Sequence, residues 1–94
     1  MTKVTITKDA EQDIKDIYFY ISVDNSFPVA QKQIDKIESS VKLLEKTPNI
    51  GVQYGKRRYI VSGKYLIFYK FTNENHIEIT RVFDGRYNWQ KDLL

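Results

Sequence analysis

A chain of 94 residues leaves room for one folding unit built around one core, residues 1–94. A composition that is 41% hydrophobic and 29% charged excludes disorder, and the absence of cysteine removes disulfides, thiolate zinc sites and cysteine nucleophiles together. The net charge of +3 is unevenly placed: residues 1–47 hold seven lysines and eight acids, while residues 48–94 hold four lysines, all four arginines and four acids, so an anionic partner is expected for the second half.

Val4 and Ile6 alternate with polar neighbours and predict a short strand over Lys3–Thr7. Thr7 or Asp9 then caps a helix in which Ala10, Ile14, Ile17, Tyr18 and Ile21 fall on one face. Asp9, Glu11 and Asp13 suit the positive end of its dipole. The turn formers Asp24-Asn25-Ser26-Phe27-Pro28 end that pattern, and Asn25 or Ser26 starts a second helix that tolerates Pro28 in its first turn. Ala30, Ile34, Ile37, Val41 and Leu44 give its inward stripe, which stops at Thr47-Pro48 and Gly51. The two helices are expected to form an antiparallel hairpin.

After Gly55 the period becomes twofold. Arg57–Val61 reads as a strand and Ser62-Gly63 as a tight turn. Tyr65–Phe71 follows as a second strand with Tyr65, Ile67, Tyr69 and Phe71 on one face. A turn at Thr72–Asn75 leads to a third strand, His76–Phe83, with Ile77, Ile79, Arg81 and Phe83 sharing a face. The tail from Asp84 has length for one helical turn, ending in Asp92-Leu93-Leu94. The expected architecture is α+β in two layers: an N-terminal strand and a helical hairpin packed on a small antiparallel sheet.

Glycine-rich phosphate loops, histidine pairs and nucleophile elbows are absent, so neither a metal nor a cofactor is expected. No apolar run has membrane-spanning length and the N-terminus lacks a signal-peptide core, which predicts a cytoplasmic protein with no membrane partner. His76, the only histidine, reads as a surface imidazole at a strand edge. The cations Lys56, Arg57, Arg58, Arg81 and Arg86 are the informative set, and a meander in which the start of one strand meets the end of another would bring them together. Arg81, placed by parity among isoleucines, requires a partner: an internal carboxylate or carbonyl, or a bound anion. Tyr59, Tyr65, Phe68, Tyr69 and Phe71 are expected to pack against the helices. Tyr87 and Trp89 either fold back on the sheet or anchor a partner.

Four segments carry a resemblance to a known family. They are A-x-x-D-I-x-x-I-Y-x-Y-I from Ala10, L-x-x-x-P-x-x-G at Leu44, Pro48 and Gly51, R-x-x-x-x-G-x-Y-x-I-x-Y from Arg58, and I-x-I-x-R-V-F-D-G-R from Ile77 to Arg86. Their order and spacing, over nearly the whole chain, resemble the ParE/RelE superfamily of bacterial toxins from toxin–antitoxin operons, some of which serve plasmid stabilization. The resemblance implies a neighbouring-gene antitoxin that wraps the toxin in a hetero-oligomer, and two possible targets. RelE-like members cut messenger RNA on the ribosome without metal. Here Arg58, Arg81 and Arg86 would hold the phosphate and Lys56 or Tyr87 would move the proton. The tyrosine expected after Arg86 is missing from Asp92 and its neighbours, and Asp84-Gly85-Arg86-Tyr87-Asn88-Trp89 looks more like the ParE type, which inhibits DNA gyrase without catalysis. The ParE-like reading is therefore favoured, with the nuclease as alternative and a non-toxic antitoxin-binding member as a third. Arg57, Arg58, Arg86, Tyr87 and Trp89 are the expected partner-binding residues, facing an acidic, amphipathic antitoxin segment.

Overall fold

Thr7 turns the chain from strand to helix in a single residue. Its amide donates to the Ile79 carbonyl at 3.1 Å, and its hydroxyl reaches the carbonyls of Ile79 and Thr80 at 2.9 and 3.2 Å while accepting from the Ala10 amide. Strand β1 (Lys3–Ile6) thus ends where helix α1 (Lys8–Asp24) begins, with Thr7 rather than Asp9 as the cap. The computed structural model describes residues 1–87 and 89–93.

Only Asn25 and Ser26 separate α1 from α2 (Phe27–Leu43), so the second helix must fold back along the first. The Ser26 hydroxyl caps α2 by accepting from the Val29 amide at 3.4 Å, and Pro28 sits in the first turn, where its missing N–H costs nothing. Ala10, Ile34, Ile37 and Leu44 are buried between hairpin and sheet, with Ile14, Ile17, Tyr18, Ile21 and Val41 packed around them, and Ala30 is buried as well. Full burial of an isoleucine or leucine here is worth about 1.5–3 kcal/mol.

The sheet has five strands in the order β1-β5-β4-β3-β2: β2 (Val52–Tyr54), β3 (Arg57–Ser62), β4 (Tyr65–Asn73) and β5 (His76–Asp84), the chain continuing to α3 (Gln90–Leu93). The α+β architecture is as expected. The sheet is mixed, because β1 pairs parallel to β5 (Val4 opposite Ile77) while the other ladders are antiparallel. The β2 strand was not legible as such: three residues are too few for a pattern. The β2–β3 and β3–β4 turns share one design, a two-residue loop with glycine first at positive φ (Gly55, 61°; Gly63, 62°). The expected C-terminal turn is α3; Asn88 and Leu94 lie outside the described residues.

A bulge in β5 changes which side chains share a face. Phe68 lies opposite Arg81 and Tyr69 opposite Ile79, so Thr80 is an extra residue and the alternation reverses across it. Ile77, Ile79 and Val82 face the hairpin; Arg81 and Phe83 face the other way, contrary to uninterrupted parity, and the Arg81 guanidinium stands 4.6 Å from the centre of the Phe83 ring. The aromatic stripe divides likewise. Tyr65, Tyr69 and Phe71 pack toward the helices, whereas Tyr59 and Phe68 belong to a second cluster on the outer face with Tyr54, Phe83 and Trp89.

Candidate partner-binding site

Strands β3 and β5 flank β4 and both run antiparallel to it, so they run parallel to each other. The start of β3 therefore aligns with the first half of β5: Arg58 lies opposite Tyr69, which lies opposite Ile79. At the far end, Ser62 lies opposite Tyr65, which lies opposite Asp84. Arg57 and Arg58 are consequently at one end of the sheet and Arg86 is beyond the other. The expected single basic patch does not form, because it required the start of β3 to meet the end of β5.

Each arginine has its own surroundings. Arg58 leans toward the loop after α2, where Nη1 donates to the Gly51 carbonyl at 3.0 Å and, more weakly, to the Asn49 carbonyl at 3.4 Å. The same loop is held by Tyr69, whose buried hydroxyl donates to the Pro48 carbonyl at 2.8 Å and accepts from the Gly51 amide at 2.9 Å. Burial pushes the Tyr69 phenol above its ordinary range. Position 51 has to be glycine, since a Cβ there would lie 2.5 Å from the Tyr69 hydroxyl. The L-x-x-x-P-x-x-G segment and the tyrosine of β4 are thus two halves of one clasp.

Arg57 points to the outer face, where it lies opposite Tyr54. Its Nε is shielded from solvent and has no hydrogen-bond partner among the described residues. Exposed Lys56 and Lys70 lie nearby, the first in the β2–β3 turn and the second on the next strand beyond Phe68. Tyr54, Tyr59 and Phe68 carry Trp89 upon them, with ring centres 5.1 Å from Trp89 to both Tyr54 and Phe68. Trp89 therefore folds back on the sheet.

Arg81, level with Phe68 and Tyr59 in the middle of the sheet, reaches around the edge of β5 to α1. Its Nε donates to Asp13 Oδ2 at 2.8 Å and its Nη2 to Asp13 Oδ1 at 3.0 Å, the bidentate fit of guanidinium to carboxylate. Asp13 Oδ2 also accepts from the Val82 amide at 2.9 Å. β1 pairs with β5 only as far as Ile79, so beyond it the Asp13 carboxylate occupies the position where a neighbouring strand would offer a carbonyl. Of the partners open to Arg81, the structure selects the internal carboxylate. Asp13 does more than compensate the helix dipole: it lies within the Ala10, Ile14, Ile17 stripe, and an acid on an inward stripe is itself a signal of a cation to pair with it.

Arg86 pairs with Asp84 through Nε at 3.2 Å and Nη2 at 3.0 Å, and its amide donates to the same carboxylate at 2.9 Å. That pairing holds the Asp84 carboxyl below the ordinary carboxylate range and raises the guanidinium above its own. Burial, then the Asp84 charge, pushes the Tyr65 phenol up. Tyr87 is stacked on Phe83 with ring centres 5.8 Å apart and is half exposed. Asp13, Asp16, Ile17 and Tyr20 of α1, facing Phe83, Arg86 and Tyr87, line an open groove of about 740 Å³. His76 is half-buried, and its Nε2 is hydrogen-bonded to the Thr5 hydroxyl at 2.9 Å rather than freely solvated. Among the described residues, no group of acids and histidine is placed to hold a metal, and no helix is long and apolar enough to cross a membrane.

A strand, a helical hairpin and an antiparallel meander make the fold that the resemblance implies. The family model for the ParE toxin of the type II toxin–antitoxin system, parDE, matches residues 4–89, and the chain belongs to that family. A solved structure, described as a chromosomal ParDE toxin–antitoxin system from P. aeruginosa, shares the fold with a TM-score of 0.79 at 21% identity, over 89% of this chain and 96% of that one. No curated relative matches.

Proposed function

We propose that this ParE-family toxin arrests growth by binding DNA gyrase in the cytoplasm, and that the antitoxin encoded with it neutralises it. The observation that supports a binding mode over RNA cleavage is the state of the arginines. Arg58 is spent on the loop carbonyls of Asn49 and Gly51, Arg81 on Asp13 and Arg86 on Asp84, and Arg58 and Arg86 lie at opposite ends of the sheet. Metal-free cleavage of RNA needs several cations around one phosphate beside a proton acceptor. An inhibitor needs only a complementary surface. Arg57, with Lys56 and the Tyr54–Trp89 ridge, supplies a basic, aromatic face at one end, and exposed Tyr87 supplies a contact at the other.

Induced expression without antitoxin, followed by nucleoside and amino-acid incorporation in the first minutes, tests the reading. DNA synthesis is expected to stop first, and purified chain is expected to inhibit supercoiling by gyrase while leaving ribosome-bound messenger RNA intact. Translation stopping first, with cleaved messenger RNA that Arg86→Ala abolishes, would transfer the chain to the nuclease branch. Unimpaired growth would leave only antitoxin binding.

A further inference from the structure

The register sets one line of side chains level across the outer face of the sheet. Tyr54 lies opposite Arg57, Arg57 comes level with Lys70 one step beyond the Arg58–Tyr69 pair, and Lys70 lies opposite Glu78. Tyr69, Phe71, Ile77 and Ile79 pack toward the helices, so by alternation Lys70 and Glu78 point the other way, onto the face that Arg57 occupies. Lys56, in the β2–β3 turn, adds a third cation beside Arg57. Neighbouring strands stand about 4.8 Å apart, so the three cations gather within roughly two strand spacings.

These cations differ from the other arginines in lacking an internal acceptor. Arg58, Arg81 and Arg86 are tied to oxygens of the chain, whereas no described residue forms an ion pair with Lys56, Arg57 or Lys70. Arg57 is held in place: its Nε is shielded from solvent without an acceptor among the described residues, while its terminal nitrogens stay open to solvent. A guanidinium fixed in this way is pre-organised for an incoming anion. Glu78 stands beyond Lys70, which confines the anion to the side of the face between β2 and β4. Tyr54, 41% exposed, gives that side an aromatic margin. A single carboxylate would be satisfied by Arg57 alone. A nucleic-acid backbone carries its charges at short, regular intervals, about 3.4 Å along each strand, and suits cations gathered in a line beside an aromatic ring.

We propose that Lys56, Arg57 and Lys70, with Tyr54 at their margin, hold the phosphate backbone of DNA, so that the toxin engages the DNA on which gyrase works as well as the enzyme. This rests on the gyrase reading above for the source of the DNA.

Titrating a short labelled DNA duplex with the purified toxin by fluorescence anisotropy over a range of salt, without gyrase, tests the contact. Affinity is expected to fall with salt along a log–log slope of about two to three, close to one for each phosphate neutralised. Lys56→Gln and Lys70→Gln replace exposed side chains, so each is expected to lower that slope by about one while leaving the melting temperature unchanged. Glu78→Gln is expected to tighten binding, and Lys36→Gln, on α2 in the opposite layer, to change nothing. Affinity and slope unaltered in the Lys56→Gln, Lys70→Gln double variant would overturn the proposal. So would tighter binding of an RNA duplex of the same sequence. A wild-type toxin that inhibits supercoiling with no affinity for DNA, and with a salt-sensitive affinity for DNA-free gyrase, would also overturn it while the gyrase reading stood, because the cations would then face acidic protein. A toxin that binds DNA through these residues and leaves supercoiling untouched would refute the gyrase reading and keep the contact.

Discussion

Replacing Tyr69 with phenylalanine removes one oxygen and tests the clasp between loop and sheet. The hydroxyl makes two short hydrogen bonds, to the Pro48 carbonyl at 2.8 Å and from the Gly51 amide at 2.9 Å, and the tyrosine is fully buried. Tyr69→Phe leaves a buried donor and a half-buried acceptor without that partner, the buried donor alone worth about 1–3 kcal/mol, though Arg58 still holds the Gly51 carbonyl and the loop can relax toward water. A net loss of about 2 kcal/mol is expected. At roughly 4–8 °C per kcal/mol for a domain of this size, the melting temperature should fall by about 8–16 °C. Urea unfolding followed by far-ultraviolet dichroism measures the free energy, and an unchanged m-value shows that the denatured state is not responsible. Gly51→Ala should cost at least as much, because its Cβ would stand 2.5 Å from the hydroxyl and 2.7 Å from Cε1 of the same ring. In the double variant the two losses should add to less than their sum, since the closest contact is gone. A Tyr69→Phe protein within about 0.5 kcal/mol of wild type would refute the reasoning, that being the ordinary range for a substitution that breaks nothing.

Asp13→Ala is expected to cost about 2–3 kcal/mol, because it strips Arg81 of its bidentate partner and the Val82 amide of its acceptor, whereas Asp13→Asn, which keeps an oxygen for Val82, should cost less. Paired melts of the two variants check this. Trp89→Ala should lower stability by about 1–2 kcal/mol through loss of its contacts with Tyr54 and Phe68, and the single tryptophan of the wild type should show blue-shifted emission that moves red on unfolding. The raised pKa of Tyr65 and Tyr69 means that the fold favours their neutral forms. Their contribution is complete below the unfolded value of about 10 and is lost as pH rises through the folded values, so stability should fall above pH ~10, less steeply in Tyr69→Phe. Denaturant melts across that range report the slope.

The elements that the sequence makes legible are those whose pattern runs longer than a turn. The two helices carry inward stripes with capping residues at their starts, and the long strands β4 and β5 carry stretches of apolar residues at alternate positions, Tyr65 to Phe71 and Ile77 to Ile79. Three-residue β2 offers no such run, and the parallel pairing of β1 with β5 joins residues more than seventy positions apart, which no local pattern encodes. The bulge at Thr80 is the instructive failure. One inserted residue, unmarked by glycine or proline, turns Arg81 to the opposite face and sends it around the sheet edge to Asp13. The arginines were legible as the unusual residues of the chain, but their grouping was not, because it depends on strand direction across β4.

The separation of those arginines leaves surfaces of opposite sign on one small domain. Three of the four are tied to internal oxygens, so they shape the scaffold at the loop after α2, at the open edge of β5 and at the turn into the tail. What remains for partners divides by sign. The surface around Arg57, Lys56 and the Tyr54–Trp89 ridge is basic and aromatic, while α1 is acidic with an apolar stripe along its exposed side. A ligand whose charge complements one of these surfaces is disfavoured at the other. Toxin carrying Lys56→Glu and Arg57→Glu should therefore lose growth arrest while still capturing antitoxin, and simultaneous loss of both would mean that the two partners share one surface.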